Sequence, residues 1–184
     1  MRAIRSTVIA VGAAALLGAA AVPAPAGLTT CYGERPDNAW TAEADVITGT
    51  PGDDVLYGGG GPDEIAGRGG ADLICGAEGR DFLEGELGRD RVAGQDQIDD
   101  IFGNGGNDRL DAGAGDSPGP GEDPDHTNIV YGGPGNDRVI NGPDVDSLFG
   151  ESGDDFLDGQ GGMFDTCRGG PGMDTLTAGC EVGS

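Results

Sequence analysis

From Gly49 to Thr177 the chain repeats one nine-residue pattern, Gly-Gly-x-Gly-x-Asp-x-aliphatic-x. Gly58–Ala66 (GGGGPDEIA) and Gly132–Ile140 (GGPGNDRVI) match it at every defining position. The Gly-rich half predicts a tight turn, because glycine takes up left-handed backbone at no steric cost. The last three residues predict a very short strand with its central aliphatic side chain on one face. That spacing leaves a core one side chain wide. The 39 glycines do not fall every third residue, so a collagen-like helix is excluded.

Thirteen copies start at Gly49, Gly58, Gly67, Gly76, Gly85, Gly94, Gly103, Ala112, Gly132, Asn141, Gly150, Gly159 and Gly169. Two carry insertions: Ser117–Thr127 in the Ala112 copy, and one residue near Phe164 in the Gly159 copy. The sixth position holds Asp54, Asp63, Asp72, Asp81, Asp90, Asp99, Asp108, Asn128, Asp137, Asp146, Asp155, Asp165 and Asp174. The eighth holds Leu56, Ile65, Ile74, Leu83, Val92, Ile101, Leu110, Val130, Val139, Leu148, Leu157, Cys167 and Leu176. Each Asp sets a carboxylate beside a turn rich in backbone carbonyls. Oxygen ligands of that kind suit a hard cation such as calcium.

These residues resemble the RTX, or hemolysin-type, calcium-binding repeat family over residues 49–177. The resemblance implies an all-β fold, a right-handed parallel β-roll with two nonapeptides per coil. It also implies calcium ions between stacked turns, held by backbone carbonyls and by the twelve Asp residues named above. Against the best-known members, the chain is expected to differ in carrying an N-terminal signal and in having no protease, lipase or toxin domain attached.

With two repeats per coil, alternate repeats share an edge. One edge, here called odd, starts at Gly49, Gly67, Gly85, Gly103, Gly132, Gly150 and Gly169, and keeps Gly at the first and fourth positions throughout. Every departure at the first, fourth and sixth positions falls on the even edge, at Gln97, Ala112, Asn128, Asn141 and Asp144, and so do both insertions. The odd edge is therefore expected to be the stronger calcium column. Setting aside the gaps beside Asn128 leaves about nine sites. A thin core and mutually repelling carboxylates make metal binding part of folding.

Residues 1–26 read as a secretory signal peptide: Arg2 and Arg5, an apolar stretch from Val8 to Val22, and Ala24-Pro25-Ala26 as cleavage site. The apolar stretch is short for a membrane span. Cleavage before Gly27 leaves eight basic residues against 33 acidic ones, a formal charge of −25. Such a chain repels nucleic acid. Residues 27–48 form an N-terminal cap segment, with 40–48 a decayed repeat carrying Asp45 and Ile47 at its sixth and eighth positions. Residues 178–184 form a C-terminal tail.

The four cysteines allow three pairings, all compatible with an extracellular, secreted chain. The pairing in which each bridge stays local joins Cys31 to Cys75 and Cys167 to Cys180. The first bridge draws Tyr32 and Trp40 across the apolar outward residues Val55, Tyr57 and Leu73. This cysteine layout is also similar to that of small secreted bacterial members of the family.

No EF-hand, zinc motif, nucleophile elbow or phosphate loop is present. The lone His126 lies in the inserted loop 117–127 among acids. The expected function is non-enzymatic calcium binding with coupled folding. The alternatives are a calcium-stabilised module that binds a protein partner or cell surface, and a secreted hydrolase. On the outward strand positions, Arg91, Arg109 and Arg138 should align on the odd face. Phe102, Tyr131 and Phe149 should align on the even face, as a stacked ladder or a docking surface.

Overall fold

The computed structural model describes residues 9–10, 30–113, 127–142, 146–160, 165–177 and 179–182. The expected signal peptide (apart from Ile9–Ala10), His126 with nearly all of the inserted loop, Asp144 and Phe164 lie outside the described residues. Among those described there is no helix, and none is long and apolar enough to cross a membrane.

The nonapeptides fold into an all-β parallel solenoid of about six turns. Odd repeats build a seven-stranded sheet from Val55–Gly60, Leu73–Glu78, Arg91–Asp96, Arg109–Asp111, Arg138–Ile140, Phe156–Asp158 and Thr175–Leu176. Even repeats build the other sheet. Its parallel order runs Val46–Thr48, Glu64–Ala66, Phe82–Gly88, Asp100–Gly106, Ile129–Pro134, Ser147–Ser152, Asp165–Arg168 and Cys180–Val182. Gly69–Gly70 also joins this sheet through Phe82–Gly88, and Ile9–Ala10 pairs antiparallel with Val46–Thr48.

Register follows the period. Leu56 pairs with Ile74, and Ile74 with Val92, 18 residues apart. Across the inserted loop the step grows, yet Leu110 still meets Val139 and Ile101 still meets Val130. The eighth-position side chains of both sheets form one core running from Ile47 to Cys167, with Leu176 packed against its end.

Several strands are longer than the three residues expected. Val55–Gly60 and Leu73–Glu78 continue into their turns, where Gly59 pairs with Ala77 and Gly60 with Glu78. Because the turns stack in register, their peptides extend the strand ladders. The decayed repeat stacks as expected, with Ile47 opposite Ile65. The C-terminal segment is more than a tail: Cys180–Val182 adds a strand beside Asp165–Arg168.

Both local disulfides are present, Cys31–Cys75 and Cys167–Cys180. Cys31 and Cys75 sit in a second buried cluster with Val55 and Ala93, against which Tyr32, Tyr57 and Leu73 pack. The first odd strand would otherwise expose an open edge. Instead its Val55 N–H donates to Asp37 Oδ2 and its Tyr57 N–H to Asn38 Oδ1, at 3.1 and 2.9 Å. Asn38 Nδ2 donates back to the Tyr57 carbonyl at 2.7 Å.

Both outward columns are aligned. Arg109 pairs with Arg91 and with Arg138. Two of these guanidiniums lie over rings, Arg91 4.0 Å from the Tyr32 centroid and Arg138 4.3 Å from that of Phe156. Cation–π attraction thus offsets the repulsion of the column. On the even face Phe102, Tyr131 and Phe149 stack with centroids 5.2 and 4.7 Å apart. Phe82, at a seventh position, leans diagonally onto Phe102 at 5.1 Å and lengthens the ladder to four rings.

Candidate metal centre

The sixth-position residues form two hydrogen-bonded ladders, one along each edge. On the odd edge each backbone N–H donates to Oδ1 of the Asp one coil further on. Asp54 donates to Asp72 (2.8 Å), Asp72 to Asp90 (2.9 Å) and Asp90 to Asp108 (2.9 Å). Asp108 continues to Asp137 (2.8 Å), Asp137 to Asp155 (2.9 Å) and Asp155 to Asp174 (3.1 Å). The even edge starts one turn earlier than the thirteen repeats, at Asp45. It runs through Asp63, Asp81, Asp99, Asn128 and Asp146 to Asp165, with links of 2.7 to 3.1 Å. All twelve expected Asp residues therefore lie in one ladder or the other. The inserted loop interrupts neither.

The ladders use only half of each carboxylate. Oδ2 of Asp63, Asp72, Asp81, Asp90, Asp99, Asp108, Asp137 and Asp155 is buried and accepts no hydrogen bond. A buried carboxylate oxygen without a donor is costly. Burial accordingly pushes these carboxyls up from the ordinary 3.8: Asp63, Asp72 and Asp137 to about 7, Asp99 to about 8, and Asp81 and Asp108 to about 6. Asp90 and Asp155 are raised for the same reason. The ladder N–H groups pull the other way, and neighbouring carboxylates add to the rise for Asp72 and Asp137.

Backbone oxygens gather at the same places. A Cβ on Gly85 would lie 2.6 Å from Asp90 Oδ2 and 2.9 Å from the Gly103 carbonyl oxygen of the next coil. At the fourth position the packing is closer. A Cβ on Gly88, Gly106, Gly135, Gly153 or Gly172 would collide with the fourth-position carbonyl of the coil before. Only glycine permits that file of carbonyls, which explains why the odd edge keeps Gly there throughout. Among the described residues, no three His, Cys, Asp or Glu side chains converge on one point. A cation between turns would therefore draw most of its ligands from carbonyls, with the Asp oxygens supplying the charge. Orphaned carboxylate oxygens, converging carbonyls and side-chain-free cradles fit a hard oxygen-seeking cation.

The RTX calcium-binding nonapeptide repeat profile matches in four copies, at residues 41–74, 48–83, 84–117 and 131–162, together more than half of the chain. The chain belongs to that family. It is a calcium-binding β-roll. No curated protein and no solved structure matches it.

Two features of the RTX turns were not anticipated from sequence. One is an outer ladder at the fifth position of the odd edge. Asn136 N–H donates to Asn107 Oδ1 (3.0 Å), Asp154 N–H to Asn136 Oδ1 (3.0 Å) and Met173 N–H to Asp154 Oδ1 (2.9 Å). Ala71 N–H donates likewise to Asp53 (2.8 Å). The signal was the Asp or Asn at positions 53, 107, 136 and 154, where the even edge has Pro62, Arg80 and Ile98. The other is a pair of threonines at the first turns, Thr41 and Thr50.

Proposed function

We propose that this is a secreted, non-enzymatic protein whose roll folds as it binds several calcium ions. The observation that carries this reading is the row of buried Asp Oδ2 atoms without donors, on carboxyls that burial has raised. Calcium would supply the positive charge that lets these carboxyls stay ionised while buried. The chain's part is to hold them: ladder N–H groups fix Oδ1, and the cradles aim Oδ2 and the carbonyls into the gaps. The ligands proposed are Asp54, Asp63, Asp72, Asp81, Asp90, Asp99, Asp108, Asp137, Asp146, Asp155, Asp165 and Asp174, with the odd edge the stronger column. Both disulfides accord with an extracellular location.

Calorimetric calcium titration followed by circular dichroism tests this. In chelator at pH 8 the chain should lack a β spectrum, and millimolar calcium should restore it reversibly, as extracellular sites bind at about 0.1–1 mM. Magnesium should substitute poorly, because it holds its water and demands octahedral geometry. The same β spectrum in excess chelator would refute coupled folding. A second reading, a calcium-stabilised module for a protein partner or cell surface, is favoured by the half-exposed ring ladder from Phe82 to Phe149.

A further inference from the structure

The first turn of each column differs from those that follow. Asp54 Oδ2 accepts hydrogen bonds from the Thr50 N–H and from Thr50 Oγ1. Asp45 Oδ2 accepts from the Thr41 N–H and Oγ1, both at 2.9 Å. Each hydroxyl also accepts a backbone N–H from two residues on, Gly52 at 3.3 Å and Glu43 at 3.1 Å. The oxygen that stands orphaned at Asp63, Asp72 and Asp81 is fully satisfied here.

Backbone conformation explains the difference. In the next eight turns, from Gly59 to Gly133, the second position takes a left-handed φ even where it holds Arg68, Ala77, Glu86, Gln95 or Asn104. A β-branched residue is a steric outlier in that region. Thr41 and Thr50 stay out of it, and their N–H groups meet the carboxylate instead. The fourth position differs as well: Gly52 has neither the positive φ of Gly88 or Gly106 nor a carbonyl of a preceding coil against it, as befits the end of the stack, but the turn's sequence and its first-position cradle are those of later turns. Gly49–Asp54 reads GTPGDD, and Gly132–Asp137 reads GGPGND. A Cβ on Gly49 would also lie 2.8 Å from Asp54 Oδ2 and 2.5 Å from the Gly67 carbonyl oxygen, the same cradle as in later turns.

We infer that Thr50 and Thr41 are terminating caps that close the first gap of each column to calcium. Cation binding on the odd edge then begins in the gap between Asp72 and Asp90. The inference rests on the calcium reading above. A threonine hydroxyl and a peptide N–H take the place of a cation where the stack has no coil beneath it. Asp54 is thereby set apart from the other eleven proposed ligands: it serves the ladder through its own N–H, and its carboxylate is a structural acceptor.

The test is the number of calcium ions bound per full chain, by equilibrium dialysis with metal analysis and by calorimetry. Thr50→Gly should bind one ion more than the wild type. Thr50→Asn should show the same gain, since Asn104 already adopts left-handed φ at this position. Thr50→Val, β-branched but without the hydroxyl, should gain none and should lower the stability of the calcium-loaded roll. An unchanged ion count in both Thr50→Gly and Thr50→Asn, or an added ion in Thr50→Val, would overturn the cap. A wild type that binds no calcium would instead sink the calcium reading itself, so the two failures are distinguishable.

Discussion

Replacing Asp137 by Asn should stabilise the calcium-free roll and destabilise the calcium-loaded one. Asp137 stands mid-column on the odd edge, between Asp108 and Asp155. Burial holds its carboxyl at about 7 against an ordinary 3.8. Ionising it at pH 8 without a cation therefore costs about 4 kcal/mol. An amide removes that cost yet keeps Oδ1 in place for the Asp108 N–H, as Asn128 does for Asp99 at 2.8 Å. Its NH2 group would be buried without an acceptor, like that of Asn128, at about 1–3 kcal/mol. The net expectation without calcium is a gain of about 1–3 kcal/mol. With calcium the same change deletes a charged ligand from the gaps on either side. Asp137→Ala should be worse than Asn in both conditions, since it also strands the buried Asp108 N–H, at about 1–3 kcal/mol. Urea unfolding at saturating calcium gives one ranking: wild type, then Asn, then Ala. Osmolyte-induced folding in chelator at pH 8 gives the other, with Asn above wild type. If Asn equals wild type in calcium, the carboxylate is not a ligand. If Asn does not exceed wild type in chelator, the burial argument fails.

Acidification should act with opposite sign in the two states. Without calcium, carboxyls such as Asp63, Asp72 and Asp137 titrate near 7 in the roll and near 3.8 unfolded. The folded form then holds more protons across that window, and stability falls as pH rises through it. Circular dichroism in chelator should show more β structure at pH 5 than at pH 8, whereas calcium affinity should fall over the same change as protons compete for the carboxylates. The ring ladder is expected to stabilise the even face. Phe102→Ser with Phe149→Ser breaks all three ring contacts, each worth about 0.5–1.5 kcal/mol, and should lower the urea midpoint in calcium without changing the ion count. Unchanged stability, together with lost self-association or partner binding, would make the ladder a docking surface instead.

The period alone placed the register, because an 18-residue step leaves one way to stack the eighth-position side chains. Asp45 and Ile47 could be recognised in a decayed repeat for the same reason: position, more than glycine content, marks membership of the stack. Three things stayed hidden. The Cys180–Val182 strand carries no Gly-rich turn before it, and only its pairing with Asp165–Arg168 reveals it. Phe82 joins the ring ladder diagonally, across a seventh and a ninth position, so a column-by-column alignment passes over it. The threonine caps look like ordinary substitutions in a degenerate position. Their meaning depends on φ and on where a single N–H points, neither of which a residue pattern encodes.

The two edges differ in more than the count of consensus residues. On the odd edge, an unbroken file of fourth-position carbonyls requires glycine at every step, while the outer Asn107–Asn136–Asp154 ladder ties four successive turns from Gly103 to Gly169 without any cation. On the even edge Gln97 interrupts the file, Asn128 removes a charge, and the fifth position offers no comparable run of amides or carboxylates. The odd edge therefore carries side-chain ladders at both its fifth and sixth positions, and the even edge a ladder at its sixth. Because every coil contributes a turn to each edge, order in one column favours register in the other. That coupling accounts for the tolerance of insertions at 117–127 and near Phe164 on the even edge alone: a loop there leaves the 29-residue step from Asp108 to Asp137 intact at 2.8 Å, whereas a loop inside an odd turn would separate the carbonyls that only close stacking can bring together.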